Sequence, residues 1–383
     1  MRARPELLER LPEQYFTKLL AAVRAAAAAD GEPLVDLARG NPEVGPPSHV
    51  VERLAEVARN PDPRVHGYAP FAGLPALKEA IARRYADLYG VQLDPEREVA
   101  IVPGTKTAIV DLAQVLADPG ETILLPDPGY PDYPSGVALA RARQGAVLLD
   151  PDAGWAPDLA TAPRNGVAAL YLNYPSNPCA VAAPPGVFAE AVDYSARSGA
   201  AIVHDFAYGD LVFDGRRPES FLATAGAKDV GVEMFSLSKL YGMAGWRLGF
   251  VVGNAEIVAR VDLLQDHHRA GIFTALQEAA IAALTGPQDS VEARRASYER
   301  RRDRVAAALD GLLPSPPVSE ATFYVWLELP EGITAADLLA DARVALAPGA
   351  GFGSRGVGWA RLSLAVADET LDPGIERLRA ALG

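Results

Sequence analysis

Apolar residues fall into two kinds of pattern along this chain. Up to about residue 90, and again from about 255 to 310, they recur among charges at three- and four-residue intervals, the period of a helix with one buried face. Leu7 to Ala29 predicts a first helix stopped by Gly31, and residues 48–59 and 74–89 predict two more, the last starting near Pro75. Between these regions lie short, nearly unbroken apolar blocks: Glu98–Val102, Thr122–Leu125, Val147–Leu149, Val167–Leu172, Ala200–Val203, Glu233–Leu237 and Gly249–Val252. Blocks of that length fit strands covered on both faces, and the helical stretches between them fit a mostly parallel sheet. A Pro-rich break at 313–317 precedes strands at Phe323–Leu329 and Trp359–Val366 and helices at 334–342 and 373–382. The expected class is α/β: a large domain with a mostly parallel seven-stranded sheet between helices, plus a smaller α+β domain from the C-terminus and N-terminal arm. The expected divisions are 1–46 for the arm, 47–275 for the large domain and 276–383 for the small one.

Composition narrows the function. With 383 residues, 49% of them hydrophobic, the chain has material for a sizeable core. Its net charge of −13 repels phosphate backbones and anionic lipid, which points away from nucleic acid and membrane surfaces. The lone Cys179 allows no internal disulfide, and no Cys/His cluster has the spacing of a metal site. Met1 to Arg10 carries charge throughout, and no run of about 18 uncharged apolar residues occurs, so a cytoplasmic location is expected.

In an open parallel sheet, ligands bind beyond the carboxyl ends of the strands, so the residues just past each apolar block matter most. After Val102 comes Pro103-Gly104-Thr105-Lys106-Thr107, a glycine turn opening onto a helix, which either cradles a phosphate on free N–H groups or simply connects two elements. After Leu125 comes a rigid turn, Pro126-Asp127-Pro128-Gly129-Tyr130-Pro131, whose tyrosine either stacks on a flat ligand or anchors the loop. After Leu172 stand Asn173 and Asn177; after Val203 comes His204-Asp205-Phe206-Ala207-Tyr208. Asp205, at the end of an apolar strand, needs a cationic or N–H partner, and alternation turns His204 to the opposite face as a structural residue. After the sixth block comes Ser236-Leu237-Ser238-Lys239, with Arg247 eight residues beyond the lysine. A lysine near pKa 10.4 is a poor nucleophile, but desolvation or a neighbouring cation makes it fit for a Schiff base; the alternative is an ordinary surface lysine. A phosphate cradle, a stacking ring, an amide, a carboxylate and a lysine at five strand ends form the partner set of a pyridinium aldehyde phosphate.

With these residues in place, the chain resembles the pyridoxal-phosphate enzymes of the aspartate aminotransferase fold (fold type I, class I/II) over essentially its whole length. The resemblance rests on Ser236-x-x-Lys239 with Arg247 at plus eight, on Asp205-x-x-Tyr208 lying 34 residues before the lysine, and on Asn177-Pro178 lying 28 before the aspartate. Gly40-Asn41-Pro42, His66-Gly67-Tyr68, the segment Asp127 to Tyr133 and Met243-Ala244-Gly245-Trp246-Arg247 are most similar to bacterial aminotransferases of methionine salvage and diaminopimelate synthesis. The resemblance implies pyridoxal 5'-phosphate as cofactor, bound to Lys239 as a Schiff base, with the same lysine moving protons at the substrate Cα. It implies that Asp205 pairs with the ring nitrogen, that Asn177 and Tyr208 bond the ring 3-oxygen, and that Tyr130 stacks on the ring. The phosphate would lie among Gly104, Thr105, Lys106, Ser236, Ser238 and Arg247. Tyr68 would reach that of a partner subunit, in a homodimer with shared sites. Arg361, in Trp359-Ala360-Arg361, would take the substrate carboxylate, assisted by the Gly40 backbone and Asn177. The implied activity is transfer of an amino group between an amino acid and a 2-oxo acid. Elimination, replacement or ring formation on the same scaffold stays open, because these motifs fix proton transfer at Cα and not the fate of the carbanion.

Some features fall outside this pattern. Gly351-x-Gly353-x-x-Gly356 matches a dinucleotide fingerprint but precedes a strand instead of opening a helix. His267-His268 lacks a third metal ligand nearby, and adjacent helical residues diverge. Cys179-Ala180 stands where the family usually has Thr-Gly, which puts the geometry of the loop beyond it in question. Finally, in the cationic segment His267–Phe273, which should approach a partner's site, His268 or Arg269 is expected to face the neighbouring pocket and to favour an anionic or polar distal group.

Overall fold

A computed structural model describes residues 4–383, so Met1–Ala3 of the expected arm lie outside the described residues. All seven predicted blocks are strands of one sheet: β1 (Val99–Val102), β2 (Thr122–Asp127), β3 (Arg143–Asp150), β5 (Val167–Asn173), β6 (Ala201–Asp205), β7 (Gly231–Ser236) and β8 (Gly249–Gly253). An eighth, β4 (Ala156–Pro157), pairs antiparallel to β3 at one edge, so the sheet has eight strands and not seven. Two residues carry too little apolar pattern to announce a strand. The order is β1-β8-β7-β6-β5-β2-β3-β4, parallel except for the antiparallel β8 and β4.

The unbroken apolar blocks reflect burial on both faces. Along β1, Val99 and Ile101 pack into one core and Ala100 and Val102 into another; on β6, Ile202 and Val203 divide the same way. Period-two alternation sends neighbours to opposite faces, and here both faces are covered by helices. Register then assembles the strand ends: Asn173 lies opposite Asp205, and both Val102 and Ser236 lie opposite Gly249.

The C-terminal part forms a three-stranded sheet from Tyr324–Glu328, Trp359–Ser363 and Ala347–Pro348, backed by helices Ala335–Asp341 and Asp368–Leu382. Val35–Asp36 pairs parallel with Val344–Ala345, which ties the N-terminal arm to this region. The predicted first helix is two, Glu6–Glu9 and Tyr15–Ala28. Pro12 falls in the gap, where a proline lacks the N–H and the space to continue a helix. The last helix, in contrast, starts five residues before the expected point and carries Pro373 inside it.

Candidate active site

The strand ends open into a cavity of about 550 Å³, a size suited to a small organic ligand. Among the predicted residues, Gly40, Thr105, Lys106, Tyr130, Asn177, Asp205, Tyr208, Ser236, Ser238, Lys239, Arg247 and Arg361 line it. Gly104 lies just behind: a Cβ there would come within 2.5 Å of Arg247 Nη2, and its φ of +81° is a glycine conformation. Gly104 caps the 12-residue helix Thr105–Leu116, which therefore presents its free N–H groups beside Arg247, Ser236 and Ser238. That concave group of donors suits a phosphate.

Lys239 Nζ donates to the Gly40 carbonyl at 2.9 Å and lies 5.6 Å above the Phe323 ring. Burial, then the charges of Arg361 and Arg247, lower its pKa to about 8, against the opposing pull of Asp205. The residue keeps some exposed surface toward the cavity, but protein packs densely around the amine itself. Asp205 is buried; Oδ2 accepts from Tyr133 Oη at 2.8 Å and Oδ1 from the Ala207 N–H at 3.1 Å. Burial raises its pKa, and among the described residues no cation lies within 4 Å of it. An aspartate so placed fits a protonated ring nitrogen. His204, on the other face, bonds Glu233 Oε2 at 2.8 Å and the Tyr174 carbonyl at 2.7 Å, as a structural residue should.

Arg361 is 1% exposed. Its Nη1 donates to Asn177 Oδ1 at 2.6 Å and Nη2 to the Ala38 carbonyl at 3.3 Å, while Nε finds no acceptor among the described residues. Its guanidinium lies 3.9 Å from the Tyr324 ring centroid, but among the described residues no carboxylate pairs with it. A buried cation with a spare donor fits an anionic ligand. Tyr208 Oη donates to Tyr324 Oη at 3.3 Å, and a Cβ on Gly40 would strike that same Tyr324 hydroxyl. Lys106 contributes its backbone to the helix start, while its amine pairs with Asp132 at 2.9 Å.

Tyr68 does not meet this cavity; it is 85% exposed. Within this chain His268 and Arg269 lie away from the cavity, beside a buried acid. Arg269 Nη2 binds the buried Asp111 at 3.0 Å and His268 stands 3.7 Å from the same carboxylate. A buried carboxylate demands that partner more strongly than an open pocket does. The glycines of the apparent nucleotide fingerprint answer to packing. Gly351 lies under the Tyr15 ring, Gly353 (φ +139°) against Asp127, and Gly356 against Gly349. Cys179 is buried, and Ala180, where the family usually has glycine, adopts φ +56°.

Several contributors fall outside the expected set. Tyr133, which holds Asp205, belongs to a motif already singled out, and its spacing of three from Tyr130 is the available signal. Tyr324, Phe16, Leu19, Leu20 and Arg39 also line the cavity, from segments far away in the chain.

Comparison with known proteins places this geometry. The family described as aminotransferase class I and II matches residues 32–378. An L-glutamine--4-(methylsulfanyl)-2-oxobutanoate aminotransferase of Bacillus subtilis is 42% identical, over 97% of this chain and 94% of its own. An LL-diaminopimelate aminotransferase of Desulforudis audaxviator is 39% identical, over 98% and 97%. A substrate-bound structure of BacF from Bacillus subtilis superimposes with a TM-score of 0.92 at 37% identity, covering 100% of this chain and 98% of that one.

Proposed function

The chain belongs to the class I and II aminotransferases, which use pyridoxal phosphate to move an amino group between an amino acid and a 2-oxo acid, and from that premise we propose the part each of its residues plays. When bound, the cofactor supplies an aldehyde that holds an amine and a ring that accepts electron density from the neighbouring carbon. Lys239 anchors it covalently, and its amine, already depressed to about 8, serves as base and then acid at the substrate Cα. Asp205, steered by Tyr133 and the Ala207 N–H, holds a proton on the ring nitrogen. Asn177 and Tyr208 donate toward the 3-oxygen, and Tyr130 covers one ring face. The Gly104–Lys106 backbone, Ser236, Ser238 and Arg247 take the phosphate. Arg361 binds the α-carboxylate through its guanidinium beside Asn177, and Gly40 assists.

The observation that carries this reading is a pair of unmet charges. One cavity is lined by a buried aspartate and a buried arginine, neither in a close ion pair among the described residues, with an activated lysine beside them. A neutral or purely structural pocket has no use for both.

A homodimer with shared sites belongs to the same reading. Tyr68 is exposed together with Phe71 and Phe273, and it is idle in its own chain. The division into 1–46, 47–275 and 276–383 is supported by the pairing of Val35–Asp36 with Val344–Ala345. Cytoplasmic residence is supported by a single, buried thiol that enters no disulfide. Among the described residues, no helix is long and apolar enough to cross a membrane.

The test is a half-reaction. Holoenzyme mixed with an amino acid, without acceptor, is expected to yield one 2-oxo acid and one pyridoxamine phosphate per site. Consumption of the amino acid while the aldehyde form persists would refute transamination.

A further inference from the structure

Part of the cavity wall comes from the N-terminal segment: Phe16, Leu19 and Leu20 of the helix Tyr15–Ala28, then Ala38 to Asn41. Arg39 is the charged group in that wall. The carbonyls flanking it are committed, Ala38 to Arg361 Nη2 and Gly40 to Lys239 Nζ. Arg39 Cα therefore sits one step of about 3.8 Å from each of two residues that touch the reaction machinery.

The other lining cations are engaged. Lys239 is the reacting amine and Arg361 the α-carboxylate anchor. Arg247 lies against Gly104 at the phosphate cradle and donates to the Ala244 carbonyl, and Lys106 is paired with Asp132. Arg269, the cation expected to serve a distal group, is held by Asp111. Arg39 is different. Nε donates to Asp36 Oδ2 at 2.5 Å, and Asp36 Oδ1 is fixed by the Ala38 N–H at 3.1 Å. Among the described residues, neither Nη group has an acceptor, and 55% of the side chain is exposed. Asp36 thus aligns the guanidinium and leaves its two-nitrogen edge free, the edge that matches a carboxylate.

We infer that Arg39 is a specificity-determining residue that selects amino acids with a second, distal carboxylate, while Phe16, Leu19 and Leu20 cover the methylenes between the two acid groups. This rests on the aminotransferase reading and names a substrate class for it. The effect of one arginine fork in a partly open site is roughly tenfold, less than a buried pair would give.

The test compares L-glutamate with L-methionine, which have similar length but only one of which is anionic at the far end. The kcat/KM of each is measured in the half-reaction, with holoenzyme of the wild type, Arg39→Gln and Arg39→Lys. The glutamate-to-methionine ratio is expected to fall roughly tenfold in Arg39→Gln, to recover in part in Arg39→Lys, and to fall in the wild type as salt is raised. A ratio that stays put in Arg39→Gln, whether both rates drop or neither does, overturns the inference. So does a wild type that reacts with methionine and not with glutamate. A wild type that converts neither, nor any other amino acid, refutes the aminotransferase reading as well, and is distinguished by that breadth.

Discussion

The lysine that makes this site reactive should also make the cofactor-free protein less stable. Lys239 has its pKa lowered from 10.5 to about 8, with burial as the leading cause. At about 1.4 kcal/mol per pH unit, that difference corresponds to about 3 kcal/mol spent in keeping the charged amine in the folded state. Solvent in the open cavity makes this an upper end, and loss of the bond to the Gly40 carbonyl returns part of it, so Lys239→Met should stabilise the apoprotein by about 1–3 kcal/mol at neutral pH. The sign comes from proton counting. The folded pKa lies below the unfolded one, so between them the unfolded chain holds the extra proton and stability rises with pH. The penalty is therefore complete below pH 8 and gone above about 10.5. Urea denaturation of apoprotein and variant from pH 6.5 to 10.5 reads it directly, as two curves that converge toward high pH. Parallel curves, or a variant less stable than the wild type at pH 7, would refute the idea that burial of the amine tunes it.

Three further outcomes rest on the same contacts. Asp205→Asn keeps the shape and one acceptor oxygen for the Ala207 N–H, with Tyr133 Oη turned to accept from the new amide, but loses the charge that holds the ring proton, and should lower kcat/KM at least a hundredfold, about 3 kcal/mol, with the fold unchanged by circular dichroism. Arg294 is buried and clamps four carbonyls, Lys239 and Leu240 with Nη1 and Val44 and Gly45 with Nη2; Arg294→Met should cost about 2–4 kcal/mol in urea denaturation and lower kcat, and a lysine there should restore less than half. If Tyr68 serves a partner subunit in the proposed homodimer, mixing and reassociating the Tyr68→Ala and Lys239→Met proteins should raise activity above the sum of the two, because one site in each mixed dimer would be intact; strict additivity would place Tyr68 outside any shared site.

How much of the molecule is legible in the sequence depends on how the information is stored. Strands buried on both faces leave unbroken apolar blocks, so seven of the large sheet's eight strands are readable, and β4, two residues at an edge, is not. The residues proposed for the cofactor sit at strand ends within short motifs, where position alone constrains them. The Arg361 surroundings are another matter. Its contacts come from Asn177, Ala38 and Tyr324, which lie 184, 323 and 37 residues away. Arg269 shows the converse: its charge is visible, but the carboxylate it binds, Asp111, lies 158 residues earlier on the helix Thr105–Leu116. Arg39 escapes because the Gly40-Asn41-Pro42 motif beside it does not include it, and only the folded arm brings Phe16 and the cavity around it. The split of the first helix is a local error of a different kind, since Pro12 stands in plain view.

The most direct measurement is to trap the bond on which the account depends. Holoenzyme reduced with borohydride, digested and mapped by mass spectrometry should carry the phosphopyridoxyl group on the peptide containing Lys239, at one equivalent per chain. The label on another lysine, or no label in a protein that has taken up the cofactor, would contradict it.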